Sequence, residues 1–216
     1  MQNDRESPVE YIQVNNNNCL IIDDWYNPHE YDSVLTECKF LSVCFKDPTQ
    51  SGSALGADKS PLKGNKAVFL DHVYKDILVS NIIRYGLDKS YDQRFQQILA
   101  QTDACYMPLY NGKHENFLLS YYEHSDYYKA HTDNANITFL TWLYDDPKSF
   151  EGGDLNLYHG DDLNGLTLAH TIECKANRTV IFPSFISHEV TPISMEESNK
   201  GKNKGRFTVS QFINYK

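Results

Sequence analysis

From residue 104 to the end, the chain is divided into short apolar and aromatic runs by clusters of turn-forming residues: Tyr110-Asn111-Gly112, Asp145-Asp146-Pro147, Gly152-Gly153, Gly160-Asp161-Asp162 and the Asn-, Lys- and Gly-rich stretch 199–205. That texture belongs to antiparallel strands joined by turns, and it predicts a sandwich or barrel for the second half of the chain. The first half differs. After a polar start and the tract Asn15 to Asn18, Cys19-Leu20-Ile21-Ile22 reads as a short buried strand. Asn27 and Pro28 then open an amphipathic helix, with Asn27 as the cap, Pro28 at the first helical position, and Tyr31, Val34, Leu35, Cys38 and Leu41 on one face. Residues 47–65 lack periodicity and read as a loop, either near a substrate or, the favoured reading, a surface connection. Residues 71–85 are expected to form a helix, and Ser90 to cap another with Gln93 completing the box and Phe95, Ile98 and Leu99 facing inward.

The expected architecture is α+β in a single domain over residues 1–216, with a helix-rich support (1–103) packed outside a β-rich core (104–216). Hydrophobic residues make up 40% of the chain, enough for one sizeable core. A formal net charge of −9 argues against a nucleic-acid partner, whose backbone is bound mainly through clustered Lys and Arg. Five cysteines, an odd set without a C-x-x-C pair, suit neither a disulfide framework nor a thiolate zinc site, and read as free thiols in a reducing compartment. Residues 1–10 are polar and acidic where a signal peptide is basic then apolar, and no apolar run approaches the ~18 residues of a membrane span. A cytoplasmic protein without a membrane partner is expected.

His131-Thr132-Asp133 places two metal-capable side chains two residues apart, so that on a strand both point to one face. His188 lies in Phe182-Pro183-Ser184-Phe185-Ile186-Ser187-His188-Glu189-Val190, whose apolar start reads as another strand of the same sheet. Two imidazoles and one carboxylate on one face of an octahedral ion leave three positions open. That suits non-haem Fe(II), which must bind a cosubstrate and O2 together, better than tetrahedral zinc. Near the C-terminus, Arg206-Phe207-Thr208 begins an alternating strand whose guanidinium and hydroxyl can grip a carboxylate. His124 and Asp126 form a competing H-x-D in a polar stretch that looks like a turn. His29, His72, His114, His159 and His170 lack a paired strand context and read as surface or capping residues. Trp142 and Thr141, on the apolar strand 137–144, either wall the pocket or pack in the core, as strand aromatics usually do.

Residues 118–213 resemble the catalytic core of prolyl 4-hydroxylase-like Fe(II)/2-oxoglutarate-dependent dioxygenases. The matching landmarks are Tyr121-Tyr122, Tyr128, His131-Thr132-Asp133, Phe150-Glu151-Gly152-Gly153-Asp154-Leu155, His188-Glu189-Val190 and Arg206-Phe207-Thr208. The resemblance implies a double-stranded β-helix (jelly-roll) core with helices buttressing one sheet. It implies His131, Asp133 and His188 as catalytic iron ligands, and Arg206, aided by Thr208, as the anchor of the 2-oxoglutarate. Leu155 and Val190 match apolar positions lining that pocket, and either Tyr122 or Tyr121 contacts the cosubstrate, with Tyr122 preferred. Fe(II), 2-oxoglutarate and O2 are the implied cofactor and cosubstrates, with ascorbate as a candidate reductant. The implied reaction is hydroxylation of a prolyl residue in a peptide or protein, the runner-up being a free amino acid or other small molecule. A non-catalytic β-barrel binding module is the rival of another class. The family's basic residue usually follows the distal histidine more closely than Arg206 follows His188. The excess, in 194–205, reads as a lengthened loop, which closure entropy penalises only slightly; a changed register would bring Lys202 or Lys204 into the role.

Overall fold

The computed structural model describes residues 9–110, 114–161 and 165–215. The turn residues Asn111, Gly112 and Asp162 and the first eight residues of the polar start lie outside the described residues, as does the side chain of His114. Its principal elements are β1 (Val9–Val14), β2 (Asn17–Ile22), α1 (Pro28–Phe40), β3 (Lys66–Phe69), α2 (Asn81–Ser90), α3 (Gln93–Thr102), β4 (His114–Tyr122), β5 (Tyr128–His131), β6 (Ile137–Leu143), β7 (Phe150–Gly152), β8 (Leu155–Asp161), β9 (Gly165–Ile172), β10 (Thr179–Pro183), β11 (His188–Val190), β12 (Ile193–Met195) and β13 (Arg206–Asn214).

A seven-stranded sheet in the order β1-β2-β10-β6-β13-β4-β3 faces a four-stranded sheet β5-β11-β8-β9, with a small β12-β7 ribbon beside them. From β4 onward the chain passes back and forth between the two larger sheets, which is the winding of a jelly roll. One apolar cluster fills the space between the sheets, including Leu140 and Trp142 of β6, Leu155 and Leu157 of β8, and Phe182. A second lies on the outer face of the large sheet, where Val34 and Cys38 of α1 and Ile82 and Ile83 of α2 pack on Leu119 and Phe207. Because β6 and β10 are covered on both faces, each is buried along its whole length. The α+β jelly roll with supporting helices expected from the sequence is the fold observed.

Local chemistry explains the helices. At α1 the Asn27 side chain accepts from Glu30 N while the Glu30 carboxylate accepts from Asn27 N, and Pro28 fills the first turn where a missing N–H costs nothing. Residues 71–85 do not form one helix. Two short 3-10 turns, Leu70–His72 and Ile77–Val79, precede α2, which starts after the cap Ser80. The buried Glu37 carboxylate of α1 accepts from the N–H groups of Asn81 and Ile82 and from the Ser80 and Tyr74 hydroxyls, so the positive end of α2 is set by a distant anion. Ser90 ends α2 rather than opening α3; Asp92 is the α3 cap and accepts from Phe95 N. Leu99 is fully buried, whereas Ile98 is 37% exposed.

The N-terminal half, expected as helical support, also supplies three strands of the large sheet, β1, β2 and β3. The Asn tract is the turn of a β1–β2 hairpin, with Asn15 and Asn16 at φ 52° and 62°, the left-handed pair that a tight hairpin turn demands and Asn tolerates.

Candidate active site

His131, the last residue of β5, is the register partner of His188, the first of β11. Their rings are 4.3 Å apart. Asp133 departs from the simple strand picture, lying beyond the end of β5 in the turn toward β6. Its backbone N–H donates to Ser184 O, and its Oδ2 accepts from Thr138 Oγ1 at 2.7 Å, the same hydroxyl meeting Ser184 Oγ at 2.8 Å. Nor does the Phe182 stretch share a sheet with His188: Phe182 and Pro183 end β10 in the large sheet, and the turn through 184–187 carries the chain across to β11. That crossing turn places Ser184 beside Asp133.

Each imidazole is held by its Nδ1, which lies 2.8 Å from Lys129 O in His131 and 3.0 Å from Ile186 O in His188. A carbonyl only accepts, so Nδ1 carries the proton and the Nε2 lone pair is free. Both Nε2 atoms face Asp133, at 3.7 Å from Oδ1 and 3.5 Å from Oδ2. One ligand atom from each of the three side chains lies within 4.8 Å of the others, and among the described residues this is the one such group. Burial, and next the neighbouring His188 imidazole, hold the His131 pKa well below the ordinary value, which keeps the ring neutral and ready to ligate. Aromatic neighbours fix both rings: Tyr128 stacks on His131 at 3.6 Å, and Phe182 meets His188 edge-on at 4.9 Å. His124 and Asp126, the competing pair, serve a turn, His124 Nδ1 accepting from Met195 N and Asp126 from Glu123 N.

A cavity of about 390 Å³ runs from these donors along the inner face of β4 and β13. Its walls include Tyr122, Tyr128, Val190 and Thr208, and a family model described as the 2OG-Fe(II) oxygenase superfamily matches residues 117–214, which carry all of these. Through this segment, somewhat under half of its length, the chain is similar to the 2OG-Fe(II) oxygenase superfamily. An uncharacterized PKHD-type hydroxylase of Synechocystis sp. is 30% identical over 124 residues, 56% of this chain. The chain covers 36% of that relative's length. The crystal structure of a Pseudomonas putida prolyl-4-hydroxylase matches with a TM-score of 0.55 at 13% identity over 92% of both chains. A prolyl 4-hydroxylase structure from Phytophthora capsici matches with 0.53 at 17% identity, over 91% of this chain and 58% of that one. At such identities the likeness is one of fold.

The other pole of the cavity is built by strand parity. Arg206 pairs with Tyr122, and Thr208 with Ser120 on one side and Trp142 on the other. Arg206 is fully buried, its guanidinium 4.0 Å from the centre of the Tyr122 ring and its Nη1 donating to Gly153 O. It lies behind Tyr122 and Thr208, which line the cavity directly. Its Nε and Nη2, and the Thr208 Oγ1, are buried without a hydrogen-bond partner, a donor set that fits a carboxylate. Gly153, at φ +75°, leaves room for the arginine, since a Cβ there would lie 3.3 Å from Arg206 Cδ. Tyr121 is a correction: it points to the opposite face, packs on Phe207 and Phe45, and its hydroxyl donates to Glu123 and accepts from Gly205 N. Leu155 sits in the inter-sheet cluster without lining the cavity. Lys202 and Lys204 are exposed, Lys204 donating to Asn199, so the longer 194–205 segment leaves the β13 register intact.

The 47–65 loop, favoured as a surface connection, forms part of the cavity wall through Gly52, Ser53 and Ala54. Two contacts hold it there. Ala54 N donates to the Tyr128 hydroxyl at 2.8 Å, and the Lys63 Nζ donates to the carbonyls of Ser51 and Gly52 at 3.0 and 2.8 Å. Lys63 is 3% exposed, and burial lowers its pKa to about 8. The unfolded chain keeps this proton to about pH 10.4. The folded state therefore bears the cost of the buried charge in full below about pH 8, and that cost is relieved as pH rises toward 10.4. Relative to Lys63→Met, the native chain is expected to gain up to roughly 3 kcal/mol in urea-unfolding free energy over that interval. A pH-independent difference would mean that the ammonium is solvated in the folded protein.

Proposed function

We propose that the chain is an Fe(II)- and 2-oxoglutarate-dependent hydroxylase of a prolyl residue in a peptide or protein, with His131, Asp133 and His188 as the iron ligands and Arg206 and Thr208 holding the cosubstrate's far carboxylate. The observation that carries this reading is the three-donor group with two imidazole lone pairs and one carboxylate converging from separate turns of the chain. Iron held by these side chains would supply, with 2-oxoglutarate and O2, the oxidising power for C–H hydroxylation, the cosubstrate ending as succinate and CO2. The protein's own residues supply geometry. The carbonyls of Lys129 and Ile186 fix the ring tautomers, Thr138 orients Asp133, and Tyr128 ties the His131 ring to the loop that walls the cavity. Asp133 occupies the carboxylate position that a halide would need, which supports hydroxylation over halogenation.

The lining of the cavity supports a peptide-bonded substrate. Beyond the donor group and Thr208 it includes Phe69, Leu118 and Phe212 with neutral polar groups such as Asn116, Asn134 and Ser210; among the described residues Asp133 is the one Asp, Glu, Lys or Arg in the lining. A free amino acid would bring an ammonium and a carboxylate into this space with no counter-charge for the carboxylate, whereas a residue within a peptide is neutral there. The test is a mass-spectrometric search for a gain of one oxygen across peptides and metabolites, with metal-free protein as the control. Modification of a proline-containing peptide is expected. Modification of free amino acids alone would reject the peptide reading, and absence of succinate release under every condition would favour a non-catalytic binding module.

A further inference from the structure

One buried donor on the inner face of the large sheet has no part in that assignment. Trp142 is fully buried, and its Nε1–H has no hydrogen-bond partner. Buried indoles ordinarily find an acceptor. Trp142 stands on β6 as the register partner of Thr208 on β13, and Arg206 is two positions from Thr208 on the same face. Directly opposed side chains start about 5 Å apart, and diagonal ones remain within reach of an aromatic ring. Among the described residues, the buried side-chain atoms lacking a partner fall into two groups. Arg206 Nε and Nη2, Thr208 Oγ1 and Trp142 Nε1 come from three neighbouring residues of two adjacent strands, while those of Ser51, Asn65, Gln96 and Ser187 occur singly.

The cluster is chemically one-sided. Guanidinium and indole nitrogens only donate, and the threonine hydroxyl can donate. The threonine oxygen is the set's one acceptor, too few for its donors, and Thr208 lines the cavity. Its complement is an acceptor with several lone pairs, and a carboxylate has about four lone-pair sites on two oxygens. Resting on the reading of this pocket as the 2-oxoglutarate seat, we propose that the Trp142 indole N–H is a third donor to the far carboxylate, beside Arg206 and Thr208. Arg206 supplies charge, and the indole supplies a neutral donor of fixed direction held by the packing between the sheets. Together they select a dicarboxylic 2-oxo acid over one that has only the chelating head. If Trp142 were merely core, its N–H would stay unpartnered whether or not the ligand were bound.

The chain has two tryptophans, so nitrogen-labelled, zinc-loaded protein gives two indole N–H signals, assigned with Trp25→Phe. On addition of 2-oxoglutarate the Trp142 signal is expected to move downfield and its proton to exchange more slowly. With 2-oxobutyrate, which has the same head and no far carboxylate, it should do neither. In binding measurements Trp142→Phe should weaken 2-oxoglutarate by about 10- to 100-fold, the range for a hydrogen bond to a charged group, and leave 2-oxobutyrate unchanged. If 2-oxoglutarate binds and Arg206→Ala weakens it while the Trp142 signal stays put, the third donor is disproved and the pocket assignment survives. Equal losses for both acids in Trp142→Phe would likewise reduce the tryptophan to a structural role. Should the native protein not bind 2-oxoglutarate at all, the pocket assignment falls and the donor with it. The indole signals are read on the unaltered binding site, so they decide the matter even if Trp142→Phe does not fold.

Discussion

Alanine at His131 or at Asp133 is expected to eliminate iron-dependent succinate formation, with a loss well beyond the 10- to 100-fold typical of removing a residue that only supports a metal ligand. The two variants lose activity for different local reasons. His131 contributes a lone pair presented by a buried ring that Tyr128 and Lys129 O hold in place, and alanine leaves the β5–β11 backbone pairing untouched. Asp133 contributes the charge toward which both Nε2 atoms point. Its removal frees the Thr138 hydroxyl, which still has Ser184 Oγ at 2.8 Å, so no buried hydroxyl is orphaned. Both variants should therefore keep the native circular dichroism while failing to retain iron in equilibrium dialysis. Asp133→Asn separates the two parts of that side chain's role, since it preserves an acceptor for Thr138 and removes the charge. Normal turnover by His131→Ala or Asp133→Ala would refute the ligand assignment.

The site was more legible in the sequence than the path of the chain around it, and the reasons are physical. Side-chain parity along a strand needs no tertiary information, so spacing alone put Arg206 and Thr208 on one face, where the structure has them. The same rule separates Tyr122 from Tyr121, but only once one residue of β4 is known to face inward, which the sequence does not say. For Asp133 the expectation reached the right neighbourhood by an incomplete argument: β5 stops at His131, and the carboxylate is brought to the histidines by Ser184 O and Thr138, groups on other strands or turns with no signal near His131-Thr132-Asp133. The broken helix at 71–85 has a similar cause. Its periodicity is real, but Glu37, far away in sequence, captures the N–H groups of Asn81 and Ile82 and so sets where α2 begins. β1 was missed because its burial is slight, only Val14 being fully covered, and an edge strand facing water need not alternate cleanly. The 47–65 loop looked like surface by composition. What ties it to the cavity is a buried lysine and a tyrosine hydroxyl, neither of which composition can place.

Arg206→Ala should raise the 2-oxoglutarate requirement by about two to four orders of magnitude, since removing one partner of a buried, hydrogen-bonded charge pair costs roughly 3 to 5 kcal/mol. The free protein already maintains a buried guanidinium with one nitrogen on Gly153 O, a ring against its face, and two nitrogens unmet. Alanine relieves that unmet charge while it forfeits the packing on Tyr122, so the two effects on the ligand-free fold oppose each other. Ligand binding has no such offset, because the incoming carboxylate would meet Thr208 and a cavity end without a cation. Lysine is not a remedy, as a single ammonium cannot reproduce the planar fork that the unmet nitrogens present. Two measurements separate this account from a general loss of structure. Saturating 2-oxoglutarate should raise the melting temperature of the native, metal-loaded chain and leave that of Arg206→Ala almost unmoved, because a ligand stabilises only in proportion to its affinity for the folded state. The apparent KM for 2-oxoglutarate should rise far more than that for the hydroxylated substrate. If the variant keeps the native 2-oxoglutarate requirement, the far carboxylate is held elsewhere, and the buried arginine at the start of β13 is there for packing alone.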